Sequence, residues 1–208
     1  MDEHILFPLS NGYDNILSAK DLKDAEKLFE ISELKNRSIL IQDIERGNGM
    51  DANAMIRFWN AYDSELNIPI KERQPIKIYI DSFGGILQDS LTITDTIRLS
   101  KTPIWTINIG CAYSGGFLIF LSGHKKIAYP QSTFLFHEGS ITTGGDAHKF
   151  QNQADFYKLQ RKRMKDLILS YTKITEEVYI EHEKDDWWLF AEEALKYGIA
   201  DEIAETII

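Results

Sequence analysis

Apolar and polar positions along this chain change period several times, and each change marks an element. Residues 20–34 carry Leu22, Ala25, Leu28 and Phe29 at helical spacing. Residues 38–44 form a short apolar run that reads as a strand, closed by a turn at Arg46-Gly47-Asn48-Gly49. Asp51 is placed to cap a helix whose face bears Met55, Phe58, Trp59 and Tyr62. The period then drops to two, with Ile76, Ile78 and Ile80 alternating in a strand that runs into Asp81-Ser82-Phe83-Gly84-Gly85. Further along, the pattern predicts a helix over 86–99, a strand over 104–109 and a helix over 114–122. Short strands come next over 126–129 and 133–137, then a loop closed by Gly144-Gly145. A long amphipathic helix over 147–171 comes after it, then a helix capped by Thr175 and a short helix over 191–197 ending at Gly198. Strand followed by helix recurs three times between residues 38 and 122, which predicts an α/β fold with helices packed on a parallel sheet. The units differ too much to be internal repeats.

Composition narrows the class. With 208 residues, 43% hydrophobic and 26% charged, the chain suits one domain with a sizeable core. The net charge of −9 argues against a nucleic-acid partner, because no basic stripe is present to displace counterions. The cluster Arg161-Lys162-Arg163 with Lys158 and Lys165 reads as a solvated helix face. The single cysteine, Cys111, excludes an internal disulfide and fits a reducing compartment, where it packs as a small hydrophobe. Met1-Asp2-Glu3-His4 lacks a signal-peptide pattern, and residues 116–121 are too short to cross a bilayer. The expectation is a cytoplasmic protein with no membrane partner. No cofactor is expected, since neither a phosphate-binding loop nor zinc-ligand spacing is present.

The chemistry concentrates in Gly110-Cys111-Ala112-Tyr113-Ser114-Gly115-Gly116, at the junction of a strand and a helix. A serine in a small-residue turn at a helix N-terminus is where a covalent hydrolase keeps its nucleophile. In a parallel sheet the Gly84-Gly85 and Gly115-Gly116 loops emerge at one edge, so N–H groups of Gly84 and Gly115 can converge as an oxyanion hole. Two tight turns without a catalytic role are the plainer reading. Of five histidines, His137 ends an apolar strand at the same edge and is the candidate general base. His148 reads as a surface residue of the long helix, and His4 and His124 are weak candidates. The Gly-x-Ser-x-Gly elbow is half present, with Ala112 in the earlier glycine position.

Taken together, these segments resemble the proteolytic subunit of the Clp protease, the S14 serine peptidases. Residues 78–85 are similar to the family's Y-I-N-S-P-G-G, residues 110–116 to its G-x-A-A-S-M-G, and Phe136-His137-Glu138 to its I-H-Q-P. Residues 190–201 resemble its S-A-x-E-A-x-x-Y-G-x-x-D. The resemblance implies a crotonase-like fold of repeated β-β-α units, a protruding handle helix over 147–171, and a single domain with a divergent segment over 1–37. It implies homo-oligomeric stacked rings enclosing a chamber, polypeptide substrates delivered by an AAA+ unfoldase, Ser114 as nucleophile and His137 as base. Counting back from Ala191, the family's aspartate falls on His182, which gives a Ser-His-His arrangement. Asp185 or Asp186 is the alternative third member, and a plain surface role for His182 is the third reading. Phe83 replaces the proline of the glycine loop, and such departures resemble the divergent Clp-type peptidases of phages and mobile elements. Two rivals stand beside the peptidase: an acyl-CoA enzyme of the crotonase fold and a non-catalytic ring component.

Overall fold

Strand β5 (Ile104–Tyr113) organises the molecule because three other strands pair with it. The computed structural model describes residues 5–8, 14–17, 28–29, 31–45, 48–139 and 145–208. Residues 1–38 form one unit and residues 39–208 a second. In the first, β1 (Ile5–Pro8) and β2 (Asp14–Leu17) pair antiparallel, and residues 31–36 are helical. Most of the helix expected over 20–34, the first two residues of the turn at 46–49, Gly144 and His4 lie outside the described residues.

β3 (Ser38–Ile41), whose residues from Ile39 on belong to the second unit, β4 (Ile76–Ser82), β5, β6 (Lys125–Ala128) and β9 (Glu202–Ile203) succeed one another across the sheet. β4, β5, β6 and β9 run parallel. β5 outgrows its neighbours. Its first part, Trp105 to Asn108, pairs with β6, and its last part, Cys111 to Tyr113, pairs with β7 (Thr133–Phe136). β7 then pairs antiparallel with β8 (Trp187–Phe190). The sequence pattern stops this strand at residue 109. It continues because side chains satisfy the irregular stretch: Asn108 Oδ1 accepts the Gly110 N–H at 3.2 Å and Asp81 Oδ1 accepts the Cys111 N–H at 3.1 Å.

Helices cover the sheet. α1 (Asn48–Glu65) starts before Asp51, so that residue lies inside the helix rather than at its cap. α1 buries Ala52, Ile56 and Trp59, while Phe58 and Tyr62 remain exposed and stack on each other. The face that reaches the core is thus rotated from the one the aromatic residues suggested. α2 (Leu87–Leu99) buries Ile93 and Ile97, and every residue of α3 (Gly115–Leu121) is buried. Ile76, Ile78 and Ile80 are fully enclosed between these layers. α4 (Ala147–Tyr171) is capped by Asp146, whose Oδ1 accepts the Lys149 N–H at 3.0 Å. α4 buries only Met164 and Ile168, so its first half stands largely in solvent. α5 (Glu176–His182), capped by Thr175, and α6 (Ala191–Lys196) complete the unit.

The glycine loop after β4 is stitched to the segment after β3. Ile44 N–H donates to the Gly84 carbonyl and Ile86 N–H donates to the Ile44 carbonyl, both at 2.9 Å. Gly85 lies between them at φ +147°, where a Cβ would stand 2.1 Å from the Ile44 carbonyl oxygen. Backbone cannot yield as a side-chain tip does, so Gly85→Ala is expected to cost about 2–4 kcal/mol, read from thermal unfolding. Cys111 is buried, and burial together with the neighbouring Asp81 carboxylate pushes its thiol up to about 11. Only about one molecule in a thousand then holds a thiolate at pH 8. Alkylation by iodoacetamide at pH 8 is expected to be at least about 100-fold slower in the native protein than in urea, followed by mass spectrometry.

Candidate active site

β4 and β5 run in the same direction, so the segments that leave them run side by side. A Cβ on Gly84 would lie 2.8 Å from both Ser114 Cβ and the Tyr113 carbonyl. Gly84 is therefore glycine because the serine turn passes against it. Ser114 has φ +52° and ψ −115°, a strained conformation for a residue with a side chain. Three backbone bonds hold it there. Its N–H donates to the Leu135 carbonyl at 2.9 Å, and its carbonyl accepts from Phe117 and Leu118. Its hydroxyl does not cap α3 and stays half-exposed. The strain thus presents an uncommitted Oγ at a sharp strand-to-helix turn.

Ser114 and His137 line one cavity of about 500 Å³. Its other walls are the Gly85–Gln88 segment, Gly115 and Leu118 of α3, Phe136, and Tyr157, Gln160 and Met164 of α4. A tight tie positions the segment after the histidine. The Tyr157 hydroxyl donates to the Glu138 carbonyl at 2.7 Å, and the Arg161 guanidinium pairs with the Glu138 carboxylate. Burial pushes the Tyr157 phenol up, keeping it a neutral donor.

The β7–β8 register decides which group meets the histidine. Phe136 lies across from Trp187, and one step further along the antiparallel ladder His137 faces Asp186. His137 Nδ1 is 3.5 Å from Asp186 Oδ1. The sequence count leans toward His182, but that ring stacks on Trp187 instead, with centroids 4.1 Å apart and planes 8° from parallel. His182 ends α5, before the turn that leads into β8, and an ungapped count along the sequence does not register that turn. Asp185 stands in the turn after α5, where its N–H donates to the His182 carbonyl at 3.2 Å.

The glycine loop also differs in detail from expectation. Gly84 is buried and its N–H donates to Ser82 Oγ at 3.1 Å, so this amide is already used. Gly85 is exposed and lines the cavity, and among the described residues its N–H meets no protein acceptor. Of the two loop amides, that of Gly84 is thus engaged, while that of Gly85 is free at the cavity wall. Alternation along the extended loop carries the signal, since the bonds from Gly84 and Ile86 to Ile44 turn Gly85 the other way. His124 is far from this chemistry, accepting the Ile104 N–H on Nδ1 at 2.9 Å, and His148 is exposed on α4. Among the described residues no group of three or more His, Cys, Asp or Glu side chains is placed to hold a metal ion, and no helix is long and apolar enough to cross a membrane.

The chain resembles known proteins in sequence and in fold. The chain is 32% identical over 134 residues to the ATP-dependent Clp protease proteolytic subunit of Deinococcus radiodurans, covering 64% of this chain and 66% of that protein. It is 34% identical over 133 residues to the ATP-dependent Clp protease proteolytic subunit 2 of Tropheryma whipplei, covering 63% and 74%. Its fold superposes on a point mutant of ClpP1 from Listeria monocytogenes with a TM-score of 0.73 at 24% identity, covering 86% of this chain and 96% of the other. The parallel-rich α/β architecture is accordingly the crotonase-like one of that structure. The model of the Clp protease family matches residues 64–207, and the chain belongs to that family as a divergent member.

Proposed function

We propose that this protein is a serine endopeptidase that cleaves unfolded polypeptides. The observation that carries the reading is the junction of three features. An uncommitted serine hydroxyl sits on a strained turn, a histidine lines the same cavity, and a carboxylate lies 3.5 Å from that histidine's far nitrogen. With Nδ1 turned to Asp186, Nε2 is the nitrogen left for the serine. Ser114 Oγ attacks the scissile carbonyl as His137 takes its proton. The oxygen becomes an anion facing the amides of Gly85 and Gly115, and each such donor is worth ~10²–10³ in rate. The C–N bond then breaks while His137 returns the proton to the leaving amine. Water, activated by the same imidazole, frees the acyl group from Ser114.

The cavity beside Ser114 takes the side chain of the residue that supplies the carbonyl. Ile86, Leu87, Leu118, Phe136 and Met164 favour a large apolar group there. Exposed Phe150, Phe156 and Leu159 on α4 support assembly through this helix into stacked rings around a chamber. Delivery of substrate by an AAA+ unfoldase in the cytoplasm belongs to the same family reading. The non-catalytic alternative drew on the possible loss of the third triad member, and the Asp186 carboxylate 3.5 Å from His137 supports the peptidase over it. An acyl-CoA activity has no observation in its favour.

Replacing Ser114 with Ala is expected to abolish covalent labelling by a fluorophosphonate and to lower cleavage of a fluorogenic peptide by at least about 10⁴-fold. Retention of activity within a few-fold of the parent would refute the assignment. Asp186→Asn is expected to lower kcat by ~10²–10⁴, because an amide neither holds the same tautomer nor stabilises the imidazolium. His182→Ala is expected to change kcat less than about threefold, and the reverse ranking of the two variants would restore His182 as the orienting group.

A further inference from the structure

Three aromatic side chains make a continuous ladder beside Ser114, exposed at both ends and half-buried at its middle ring, and the cavity does not use them. The Phe83 and Tyr113 rings meet edge to face at 5.6 Å between centroids, and Tyr113 meets Trp188 in the same manner at 5.1 Å. Phe83 is 74% exposed and Trp188 54%. A hydrogen bond of 2.7 Å between the Tyr113 hydroxyl and Thr133 Oγ1 fixes the middle ring. Core packing does not account for rings this exposed.

Their position relative to the chemistry is specific. Phe83 and Gly84 run alongside Tyr113 and Ser114 in one direction. The cavity is built from residues C-terminal to these pairs, the 85–88 segment with Gly115 and Leu118. The ladder is built from the N-terminal members, Phe83 and Tyr113. Ser114 divides the two. The β-sheet register gives the same answer from the other strand. Tyr113 lies across from Leu135 and Leu135 across from Trp188, so these three share one sheet face. His137 and Asp186 lie two residues on from Leu135 and two back from Trp188, and so belong to that face as well.

A peptide whose carbonyl carbon sits at Ser114, with the preceding side chain in the cavity, must continue past Ser114 on the opposite side. There the leaving amine receives its proton from His137, and there the ladder stands. We infer that Phe83, Tyr113 and Trp188 form the subsite for the leaving-group segment of the substrate. It selects polypeptides with an aromatic or large apolar side chain at the first or second position after the scissile bond. Rigid aromatic surface binds such groups with little loss of side-chain freedom. This rests on the peptidase reading above and deepens it.

The test uses the intact protein and internally quenched peptides of one sequence, varied to Phe, Ala or Asp at the two positions after the bond. Cleavage sites are mapped by mass spectrometry. In the parent, kcat/KM for Phe is expected to exceed that for Ala by about tenfold, the discrimination an apolar subsite provides. Phe83→Ala and Trp188→Ala should each bring that ratio below about twofold. Phe83→Tyr should retain it, as should Phe58→Ala, which removes an exposed ring on α1 remote from the site. Fluorophosphonate labelling of the parent reads Ser114 without any peptide leaving group and so separates the two claims. Labelling and cleavage with equal rates for Phe and Ala overturn the subsite alone, whereas absence of both labelling and cleavage overturns the peptidase and the subsite together. A changed sedimentation coefficient in Phe83→Ala with an unchanged Phe-to-Ala ratio overturns the subsite in favour of a contact between copies.

Discussion

The hydrogen bond from the Ser114 N–H to the Leu135 carbonyl is the constraint on which the site depends. It closes the end of β5 against β7 where β5 turns into α3. Without it the serine would have no reason to remain at positive φ, and the strand that leads into His137 would have no fixed relation to Ser114. Neighbouring interactions guard that junction. Gly84 admits the turn, the Tyr113 hydroxyl grips Thr133, and the Phe120 and Phe134 rings meet at 5.0 Å beneath it. A strained residue persists only where its surroundings over-determine it, and here three elements do so.

Much of this was legible in the sequence because periodicity reports burial. The alternation Ile76, Ile78, Ile80 is a strand enclosed on its core face, and the apolar run after Ser114 is a fully buried helix. The placement of Ser114 at a strand-to-helix turn and of His137 beside the same cavity was readable from chemistry and motif order. What escaped depends on pairing rather than on pattern. The extension of β5 through Gly110 relies on Asn108 and Asp81 satisfying its amides, two contacts that no propensity encodes. The choice between Gly84 and Gly85 turns on which amide Ser82 Oγ consumes. Asp186 comes to His137 through the antiparallel register of β7 and β8, whose strands lie about fifty residues apart in sequence. On α1, Phe58 and Trp59 are equally apolar, and only packing against the sheet decides which of them is buried.

The histidine answers to two different elements. On its strand it is set by β5 and β8, and just beyond it the backbone of Glu138 is held by Tyr157 and its side chain by Arg161, both from α4. Because α4 stands mostly in solvent over its first half, anything that packs on that helix acts on the segment next to His137 through short, polar contacts. The position of His137 and the environment of the long helix are in this way one mechanical problem.

The carboxylate has the opposite weakness. Asp186 is 60% exposed and His137 33%, so water competes for the pair and screens it. Under the proposed mechanism, an imidazolium at His137 would gain most from Asp186 when that water is excluded, since the effective dielectric around a charge pair governs its attraction. A substrate lying across the face that carries His137 and Asp186 would supply the exclusion by covering them. The same sheet row ends at Trp188, two residues beyond Asp186, so apolar surface borders the carboxylate on the side a leaving segment would occupy. In the proposed peptidase, binding and charge stabilisation would thereby be linked: the better the chain were held after the scissile bond, the drier the pair that would drive the proton transfer.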